Sequence, residues 1–338
     1  MSDRVPILAV MQRASIVLNP FARNAPSLQR LASAAAVMKL RGWEIDVLES
    51  EAPAHAVALA SQAARAGSTV VFACGGDGTV NEVINGIVGS PAALGVLRGG
   101  TGNVFGKEVH VPRKLERALE VLVNGREYLF DLGYAEGESV TFETPDARPS
   151  VASLTRRYFL LMCGIGFDGA VVRRLPSTPK RLLGTASYVI WGAAEALRFQ
   201  SRPVSVTIDG QAFNLDLYWM LLGNTRSYGG VANVALQAIA DDGCLDVYLF
   251  SGKGLPFLVG MGARIALKRH QSAPGVTYTA ARAISVETAG LQVQADGEYI
   301  GETPMRFGVQ QRAMRVLLMP GAADRILSAR GAAYSTSN

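Results

Sequence analysis

One segment of the sequence restricts the possible folds more than any other. Residues 69–74 are rich in β-branched side chains and continuously apolar, and they lead directly into the glycine-rich sequence GGDGT at residues 75–79. A run that is apolar on both faces is typical of a covered parallel strand. Apolar residues then recur at helical spacing, at Val80, Val83, Ile84 and Ile87. The segment therefore predicts a strand, a glycine turn and a helix of an α/β fold.

The same alternation of strand and helix patterns covers the first part of the chain. It predicts an α/β N-terminal domain with an open parallel sheet over residues 1–130. The predicted strands are residues 15–18, 43–48, 69–74 and 93–97, and the predicted helices are residues 26–40, 53–66, 80–87 and 115–122.

Beyond Tyr128 the pattern becomes mostly strand-like. Asp-Gly pairs at residues 209–210, 242–243 and 296–297 are typical of hairpin turns. We predict a β-rich second domain over residues 131–330, an antiparallel sandwich or a barrel, and a disordered tail at residues 331–338. Helical patterns interrupt it at residues 182–199 and 255–268. The candidate strands are residues 158–163, 204–208, 217–222, 245–250, 283–287, 291–295 and 314–318.

The composition excludes several classes of protein. Of the 338 residues 49% are hydrophobic and 18% charged, which excludes a disordered chain, and no apolar run is long enough to predict a membrane span. The three cysteines form no CxxC pair, which argues against a disulfide framework or a zinc site and favours a cytoplasmic location. The net charge of +5 is compatible with nucleic acid, a nucleotide or an anionic membrane as partner and decides among none of them.

The two glycine-rich turns predict a nucleotide site. Backbone N–H groups of residues 75–79 could approach an anion at the N-terminus of the following helix, and residues 99–103, GGTGN, follow the next strand. The carboxyl ends of parallel strands form one edge, where ligands bind. The alternative interpretation of residues 75–79 is a tight strand-to-helix turn without a ligand, in which Asp77 is a local capping group. A Rossmann fingerprint is excluded because Asn81 occupies the third glycine position, and the residues around Lys107 do not form a Walker A loop.

The segment GGDGTVNEVING at residues 75–86 resembles the signature of the diacylglycerol kinase catalytic domain family, which includes bacterial diacylglycerol and phosphatidylglycerol kinases and is related to sphingosine and ceramide kinases. Six further blocks match the family in the same order. They are Asn19-Pro20, Ser50-Glu51 with His55-Ala56, Thr101-Gly102-Asn103, GIGFD at residues 164–168, DGCLD at residues 242–246, and Asp296-Gly297-Glu298. The resemblance implies an NAD-kinase/diacylglycerol-kinase-like fold, with a nucleotide cleft between the domains and a lipid pocket in the β-rich domain.

The resemblance also implies the site residues. ATP would be held by Asn19, Ser50, Gly75, Gly76, Asp77, Gly78, Thr79, Val80, Asn81 and Thr101. A structural Mg²⁺ would be coordinated by the Asp242 carboxylate and by the backbone carbonyls of Ile239 and Cys244, because a hard ion prefers oxygen to sulfur. Taken without the resemblance, the Asp242-Gly243 pair predicts only a hairpin turn.

The catalytic base remains open among three carboxylates. We favour Asp296 and Glu298 as base and orienting partner, and Asp77 is the alternative, since its equivalent is a proposed base in sphingosine kinases. The sequence departs from the family at Val104 and Lys107, where many bacterial members have Asp and Arg, and this obscures the identity of the substrate.

We predict an ATP-dependent, Mg²⁺-requiring lipid kinase that phosphorylates a hydroxyl of a diacylglycerol-like lipid. The alternatives are a kinase for a sphingoid base or another small alcohol such as NAD, and a non-catalytic nucleotide- or lipid-binding regulator. We expect a lipid partner at a membrane surface with reversible association, no nucleic acid partner, and a possible homodimer. Two basic clusters are either solvated faces or contacts to anionic lipid, namely Arg173, Arg174, Lys180 and Arg181, and Arg264, Lys268 and Arg269.

Overall fold

The computed structural model describes residues 12–141, 156–174, 192–230, 232–319, 321–329 and 331. The predicted helix at residues 182–199 and the predicted tail therefore fall largely outside the described residues, and Lys180 and Arg181 fall outside them entirely. Within the described part of the chain, no helix combines the length and the apolar character needed to cross a bilayer.

The N-terminal part is the predicted α/β unit. Four parallel strands lie in the order β2-β1-β3-β4. Every residue of β3 is buried, because helices cover both faces of the sheet, and this explains its continuously apolar sequence. The strands are β1 (Gln12–Leu18), β2 (Trp43–Glu49), β3 (Val70–Gly75) and β4 (Ala93–Arg98). The helices are α1 (Leu28–Lys39), α2 (His55–Arg65), α3 (Asp77–Ile87), α4 (Val104–Glu108) and α5 (Leu115–Val123).

Apart from one separate two-stranded sheet, the remaining strands form an antiparallel sandwich, which confirms the predicted fold class. One layer has the order β14-β13-β10-β7-β16-β17, and the other contains β5, β6, β8, β9, β15 and β18. A separate apolar core fills the space between the layers. The strands are β5 (Arg126–Glu136), β6 (Arg156–Phe159), β7 (Met162–Gly166), β8 (Arg202–Ile208), β9 (Gln211–Leu217), β10 (Trp219–Gly223), β11 (Ser227–Tyr228), β12 (Ala232–Asn233), β13 (Leu245–Phe250), β14 (Val276–Ala281), β15 (Ala283–Val286), β16 (Gln292–Ala295), β17 (Glu298–Glu302) and β18 (Met305–Leu318). The helices are α6 (Phe167–Arg174) and α7 (Gly254–Ala266), and a short 3₁₀ helix covers Ala323–Arg325.

Strand β18 joins the two halves of the molecule. Its first residues pair antiparallel with β15, whereas Arg315 and Val316 pair parallel with β4 of the N-terminal sheet. The stretch at residues 314–318, predicted as a strand of the second domain, therefore also extends the first sheet. The predicted domain boundary at residue 130 lies inside β5, which pairs with β18 along most of its length, and the division of the chain there stays a prediction.

One of the three predicted hairpin turns and one predicted strand differ from the structure. The pairs at residues 209–210 and 296–297 form left-handed hairpin turns between consecutive strands. The pair at residues 242–243 instead ends an irregular segment that enters β13, so it closes no hairpin. The predicted strand at residues 158–163 is divided into β6 and β7, because Leu160 and Leu161 turn their N–H groups to the Asp296 carboxylate.

Candidate active site

The predicted nucleotide residues lie at one edge of the parallel sheet. Asn19 follows β1, Ser50 follows β2, Gly75 ends β3 and Thr101 follows β4 shortly after its end. The Asn19 N–H donates to the Cys74 carbonyl at 2.9 Å, which holds the ends of β1 and β3 in register. Because the strands are parallel, their carboxyl ends meet here, as in other open α/β sheets.

The two glycine turns touch each other through their backbones. A Cβ atom on Gly100 would lie 2.5 Å from the Gly76 Cα, and one on Gly99 would lie 3.1 Å from the Gly75 Cα. Real side chains do not tolerate the shorter of these distances, so residue 100 must be glycine for the turns to pack this closely. Gly76 is also the N-cap residue of α3 and provides no side-chain cap. The first N–H groups of α3 can therefore serve an anion.

Asp77 links the first glycine turn to the second. Its Oδ1 accepts the Val104 N–H at 2.6 Å, so it caps α4 rather than its own helix. A Cβ atom on Gly102 would lie 2.3 Å from its Oδ2. Burial, with a smaller contribution from the Asp296 charge, raises the pKa of Asp77 to about 6, although the Val104 N–H and the Lys107 charge act in the opposite direction.

Thr79 and Val80 lie on the inner side of the turn. The Asn19 Nδ2 donates to the Thr79 Oγ1 at 3.1 Å, and this hydroxyl group packs beneath Gly75. Val80 belongs to the apolar core, and its N–H donates to the Gly76 carbonyl at 3.1 Å. These two side chains shape the turn from below, whereas Gly76 and Gly78 form its outer surface.

Asn81 is fully buried and contacts the second half of the molecule. Its Nδ2 donates to Asp296 Oδ2 at 2.9 Å, and its Oδ1 accepts Nη2 of Arg157 at 2.9 Å. Arg157 is itself buried, and it also donates to the Thr141 carbonyl. The structure therefore places Asn81, which the resemblance assigns to ATP, in a buried polar link between the two halves. Sequence reasoning missed Arg157.

The carboxylate of Asp296 is surrounded by hydrogen-bond donors. Oδ1 accepts the N–H groups of Leu161 and Met162, at 2.8 and 3.1 Å. Oδ2 accepts the Leu160 N–H at 2.9 Å and the amide of Asn81 at 2.9 Å. Burial raises the pKa of Asp296, and these four donors lower it. Because a carboxylate has about four lone-pair positions, this geometry suits a structural anchor better than a group that takes a proton from a substrate.

Glu298 lies two residues further along and faces the glycine turn. A Cβ atom on Gly78 would lie 2.6 Å from its Oε1, so the carboxylate sits directly above the first turn of α3. The side chain is half-buried, at the start of β17. Its negative charge also raises the pKa of Glu82, although burial is the larger cause of that shift. Asp77 and Glu298 are both half-buried beside the glycine turn, whereas Asp296 is buried. Asp77 differs from Glu298 in that its Oδ1 holds the Val104 N–H, so Glu298 is the carboxylate that we favour as the base.

A chain of hydrogen bonds fixes the turn that carries Glu298. The Oε1 of Gln294 accepts the Gly297 N–H at 2.8 Å, and its Nε2 donates to Asp168 Oδ2 at 2.6 Å. The Tyr228 hydroxyl donates to the other oxygen of Asp168. Burial raises the pKa of Asp168 to about 6, and these two donors lower it. Sequence reasoning missed Gln294, although two amides that alternate with apolar residues in β16 were a signal for it.

Helix α4 connects the second glycine turn to the β-rich half. Glu108 accepts the Thr225 hydroxyl at 3.1 Å and the Arg226 N–H at 3.0 Å. A Cβ atom on Gly230 would lie 3.4 Å from the Lys107 Nζ. Lys107 thus brings a positive charge between Asp77 and the second half of the molecule, at a position where many family members have Arg.

The predicted metal ligands lie together near the start of β13. Asp242 Oδ1 accepts the Cys244 N–H at 2.9 Å, and the Asp242 N–H points to the Ile239 carbonyl at 3.4 Å. Asp131 accepts the Gly243 N–H at 2.7 Å, and burial together with the charges of Asp241 and Asp242 raises the pKa of Asp131. Oxygen donors with clustered negative charge suit a hard divalent ion. Side chains alone do not complete such a site, since the described residues hold no group of three or more His, Cys, Asp or Glu with metal-binding geometry.

Comparison with known proteins agrees with this geometry. Residues 13–135 match the Diacylglycerol kinase catalytic domain, and residues 162–318 match the YegS C-terminal NAD kinase beta sandwich-like domain. A diacylglycerol kinase of Staphylococcus aureus (strain bovine RF122 / ET3-1) is 28% identical over 299 residues, covering 88% of this chain and 89% of that protein.

Two solved structures from Bacillus anthracis str. Sterne show the same fold. One has a TM-score of 0.72 at 20% identity and covers 92% of this chain and 96% of that one. The other, a diacylglycerol kinase, has a TM-score of 0.68 at 20% identity and covers 92% and 97%. The two domain matches occur in the same order along the chain as the N-terminal α/β unit and the antiparallel sandwich. The chain therefore contains a Diacylglycerol kinase catalytic domain followed by a YegS C-terminal NAD kinase beta sandwich-like domain, and it is a kinase.

Proposed function

We propose that this protein is an ATP-dependent lipid kinase that transfers the γ-phosphoryl group to a hydroxyl of a diacylglycerol-like lipid. The observation that carries the proposal is the position of the Glu298 carboxylate above Gly78. It sets a proton acceptor beside a glycine turn whose N–H groups and helix N-terminus suit phosphate. A site that only bound a nucleotide would gain nothing from a carboxylate facing the phosphates.

The chain's own residues divide the work of phosphoryl transfer. The N–H groups of residues 76–79 and the Lys107 ammonium bind and orient phosphate oxygens. Glu298 accepts the proton of the acceptor hydroxyl, while Asp296 keeps β6, β7 and the turn in place. This division suits a reaction in which positioning and charge stabilisation do most of the work and little covalent chemistry falls to the protein. ATP enters this scheme as the substrate implied by the family.

Magnesium fits the oxygen donors around Asp242. The Asp242 carboxylate and the carbonyls of Ile239 and Cys244 would hold it, with Asp131 close by. When bound there, the ion supplies positive charge that neutralises clustered carboxylates and orders the loop before β13.

The acceptor side is rich in aromatic rings. Trp219 packs against Tyr228 with ring centroids 5.5 Å apart and stacks on Phe250 at 4.5 Å. The buried Trp219 Nε1 and Tyr218 hydroxyl have no hydrogen-bond partner within the described ranges. Apolar rings with a few unpaired polar atoms suit a lipid that has an apolar body and polar groups at one end. Because Tyr228 also bonds Asp168, this cluster adjoins the hydrogen-bond chain behind Glu298.

The proposal includes the place of action. The acceptor lies in a bilayer, so we expect reversible association of the protein with a membrane surface from the cytoplasmic side. Association into a homodimer stays a prediction from the sequence.

Labelled ATP offered with a panel of acceptors in mixed micelles tests the function. The panel contains diacylglycerol, sphingosine, ceramide and NAD, with Glu298→Gln as the matched variant. We expect the wild type to produce labelled phosphatidic acid from diacylglycerol. The variant should produce it at a rate that is lower by about 100-fold or more. Preferential phosphorylation of sphingosine or NAD would replace the diacylglycerol-like substrate by the sphingoid or small-alcohol alternative. Undiminished ATP binding without transfer to any acceptor would favour the regulator.

A further inference from the structure

Helix α7 is apolar on two opposite faces. On the inner face Met261 is buried, and Phe257, Leu258 and Ile265 are half-buried against the core. The outer face continues one residue past the helix. Its residues are Pro256, Val259, Gly260, Ala263 and Leu267. Val259 is 65% exposed and Leu267 is 67% exposed. A helix that is apolar all round is normally covered on both sides, so the outer stripe is a surface in need of a partner.

The charged residues next to this stripe along the chain are all positive. The chain contains no Asp or Glu between residues 247 and 286. Exposed cations flank or interrupt the stripe at Lys253, Arg264, Lys268 and Arg269. We call the five outer residues and these four cations the α7 face. Across the described part of the chain, Arg264, Lys268 and Arg269 form no ion pair.

The other basic cluster behaves differently. Arg173 pairs with Glu302, and Arg174 pairs with Glu195 at 2.6 Å. Their charges are therefore largely neutralised inside the protein. Of the described cations in the two clusters, those on α7 and just after it remain unpaired and can attract an anionic partner.

The α7 face is held rigidly by the residues beneath it. The Phe257 ring packs edge-on against Tyr218, with centroids 5.8 Å apart and an interplanar angle of 69°. At the far end, the buried His270 bonds through Nε2 to the Val234 carbonyl at 2.8 Å. The stripe is thus presented on an ordered helix, so docking on it would not require the segment to fold first.

We propose that the α7 face docks this protein on an anionic lipid bilayer. The proposal rests on the proposed function, since a lipid acceptor has to be reached in a bilayer. Interfacial helices combine an apolar side with flanking Lys and Arg, as this one does. Protein interfaces rely instead on Trp, Tyr and Arg anchors at their centre, and the centre of the stripe has only Val, Gly and Ala.

Sedimentation with vesicles tests the docking. The vesicles contain either phosphatidylcholine alone or phosphatidylcholine with phosphatidylglycerol, at low and high salt. The test variants are Val259→Glu with Leu267→Glu, and Arg264→Gln with Lys268→Gln. The matched controls lie in the N-terminal unit, on α1, on the residue after it and on α2. They are Val37→Glu with Leu40→Glu, two exposed apolar residues, and Lys39→Gln with Arg65→Gln, two exposed cations. Circular dichroism checks that each variant is folded.

We expect wild type and controls to bind the anionic vesicles and to release at high salt. The glutamate variant on α7 should bind at least tenfold more weakly. Removal of two cations should weaken binding by up to about 30-fold and reduce the salt dependence, since each cation near the surface contributes about fivefold. Turnover of a soluble short-chain diacylglycerol should be the same in all variants.

The remaining outcomes separate this inference from the proposed function. Vesicle binding that is equal in the α7 variants and the controls, or absent in wild type, overturns the docking face, and short-chain turnover then leaves the kinase proposal intact. Absence of short-chain turnover in wild type contradicts the function, while the vesicle series still reports on the face. A changed sedimentation coefficient of the α7 variants with unchanged vesicle binding assigns the face to a second copy of the chain, which also overturns the inference.

Discussion

The glycine turns of the parallel sheet and the hairpin turn at residues 296–298 face each other, yet opposite means hold them in place. The glycine turns pack closely because side chains are missing: a Cβ atom on Gly100 would strike Gly76. The hairpin turn is fixed by side chains whose polar atoms are saturated, namely Asp296 with four donors and Gln294 with two partners. The difference teaches that the first turn can offer its backbone to a ligand, whereas the second faces the ligand only with the side chain of Glu298.

The largest expected effect separates the two carboxylates of the hairpin turn. Glu298→Gln should lower kcat by about 100-fold or more, the scale of a lost general base. ATP affinity should stay within a few-fold and thermal stability should hardly change, since Glu298 is half-buried. Steady-state kinetics and calorimetry with ATP measure both quantities. Near-normal turnover in this variant together with an inactive Asp77→Asn would transfer the role of base to Asp77.

Asp296→Asn should instead act on stability. The amide replaces one carboxylate oxygen by an NH2 group, which faces two N–H donors in either orientation: those of Leu161 and Met162, or those of Leu160 and Asn81. Two buried donors therefore lose their acceptor. We expect a loss of about 2–4 kcal/mol in the free energy of unfolding, measured by urea denaturation. Glu298→Gln is the control and should lose less than about 1 kcal/mol, because the substitution keeps the shape of a side chain that is only half-buried. Equal stability of the two variants would mean that Asp296 is not the anchor described above.

Steric contact between the glycine turns predicts a sharp contrast between two alanine substitutions. Gly100→Ala should force the turns apart, cost about 1–3 kcal/mol in stability and weaken ATP binding. Gly76→Ala is the matched control, because its Cβ would lie 3.8 Å from the nearest atom, the Gly100 Cα. Urea denaturation of both variants measures the contrast in stability. A control that loses as much stability as Gly100→Ala would show that packing between the turns is not the cause.

The smallest effect concerns the pH dependence of stability. Folding raises the pKa of Asp77 from 3.8 to about 6, chiefly by burial. A raised pKa means that the folded state disfavours the ionised form, so stability declines as the pH rises through the interval from about 4 to 6. Asp77→Asn keeps an acceptor for the Val104 N–H and removes this titration. Relative to wild type, the variant should therefore gain about 1–2 kcal/mol between pH 4 and pH 7.

Denaturation of both proteins at the two pH values measures this gain. Asp209→Asn serves as a control for an exposed turn carboxylate. A difference between wild type and Asp77→Asn that is the same at both pH values would contradict the burial argument.

The sequence predicted the first half of the molecule better than the second. Strands β1 to β4 follow from local apolar patterns, and each has the place in the sheet that strand and helix alternation requires. In the second half β9, β14 and β17 were missed, because their partly exposed, polar-rich residues carry no clear strand pattern. Strand β18 was recognised in part, but its pairing with β4 could not be predicted, since residue 93 and residue 315 meet only in the folded chain.

By itself, the sequence determined the α/β sheet, the two glycine turns and the edge where they meet. These depend on neighbours in the chain and on strand direction, which the local pattern contains. Only the tertiary structure decided which carboxylate faces the turn and which one is buried as an anchor. Asp296 and Asn81 are 215 residues apart in sequence and form a hydrogen bond of 2.9 Å. Whether a carboxylate is a base or an anchor depends on how many donors surround it, and those donors come from distant segments that only folding brings together.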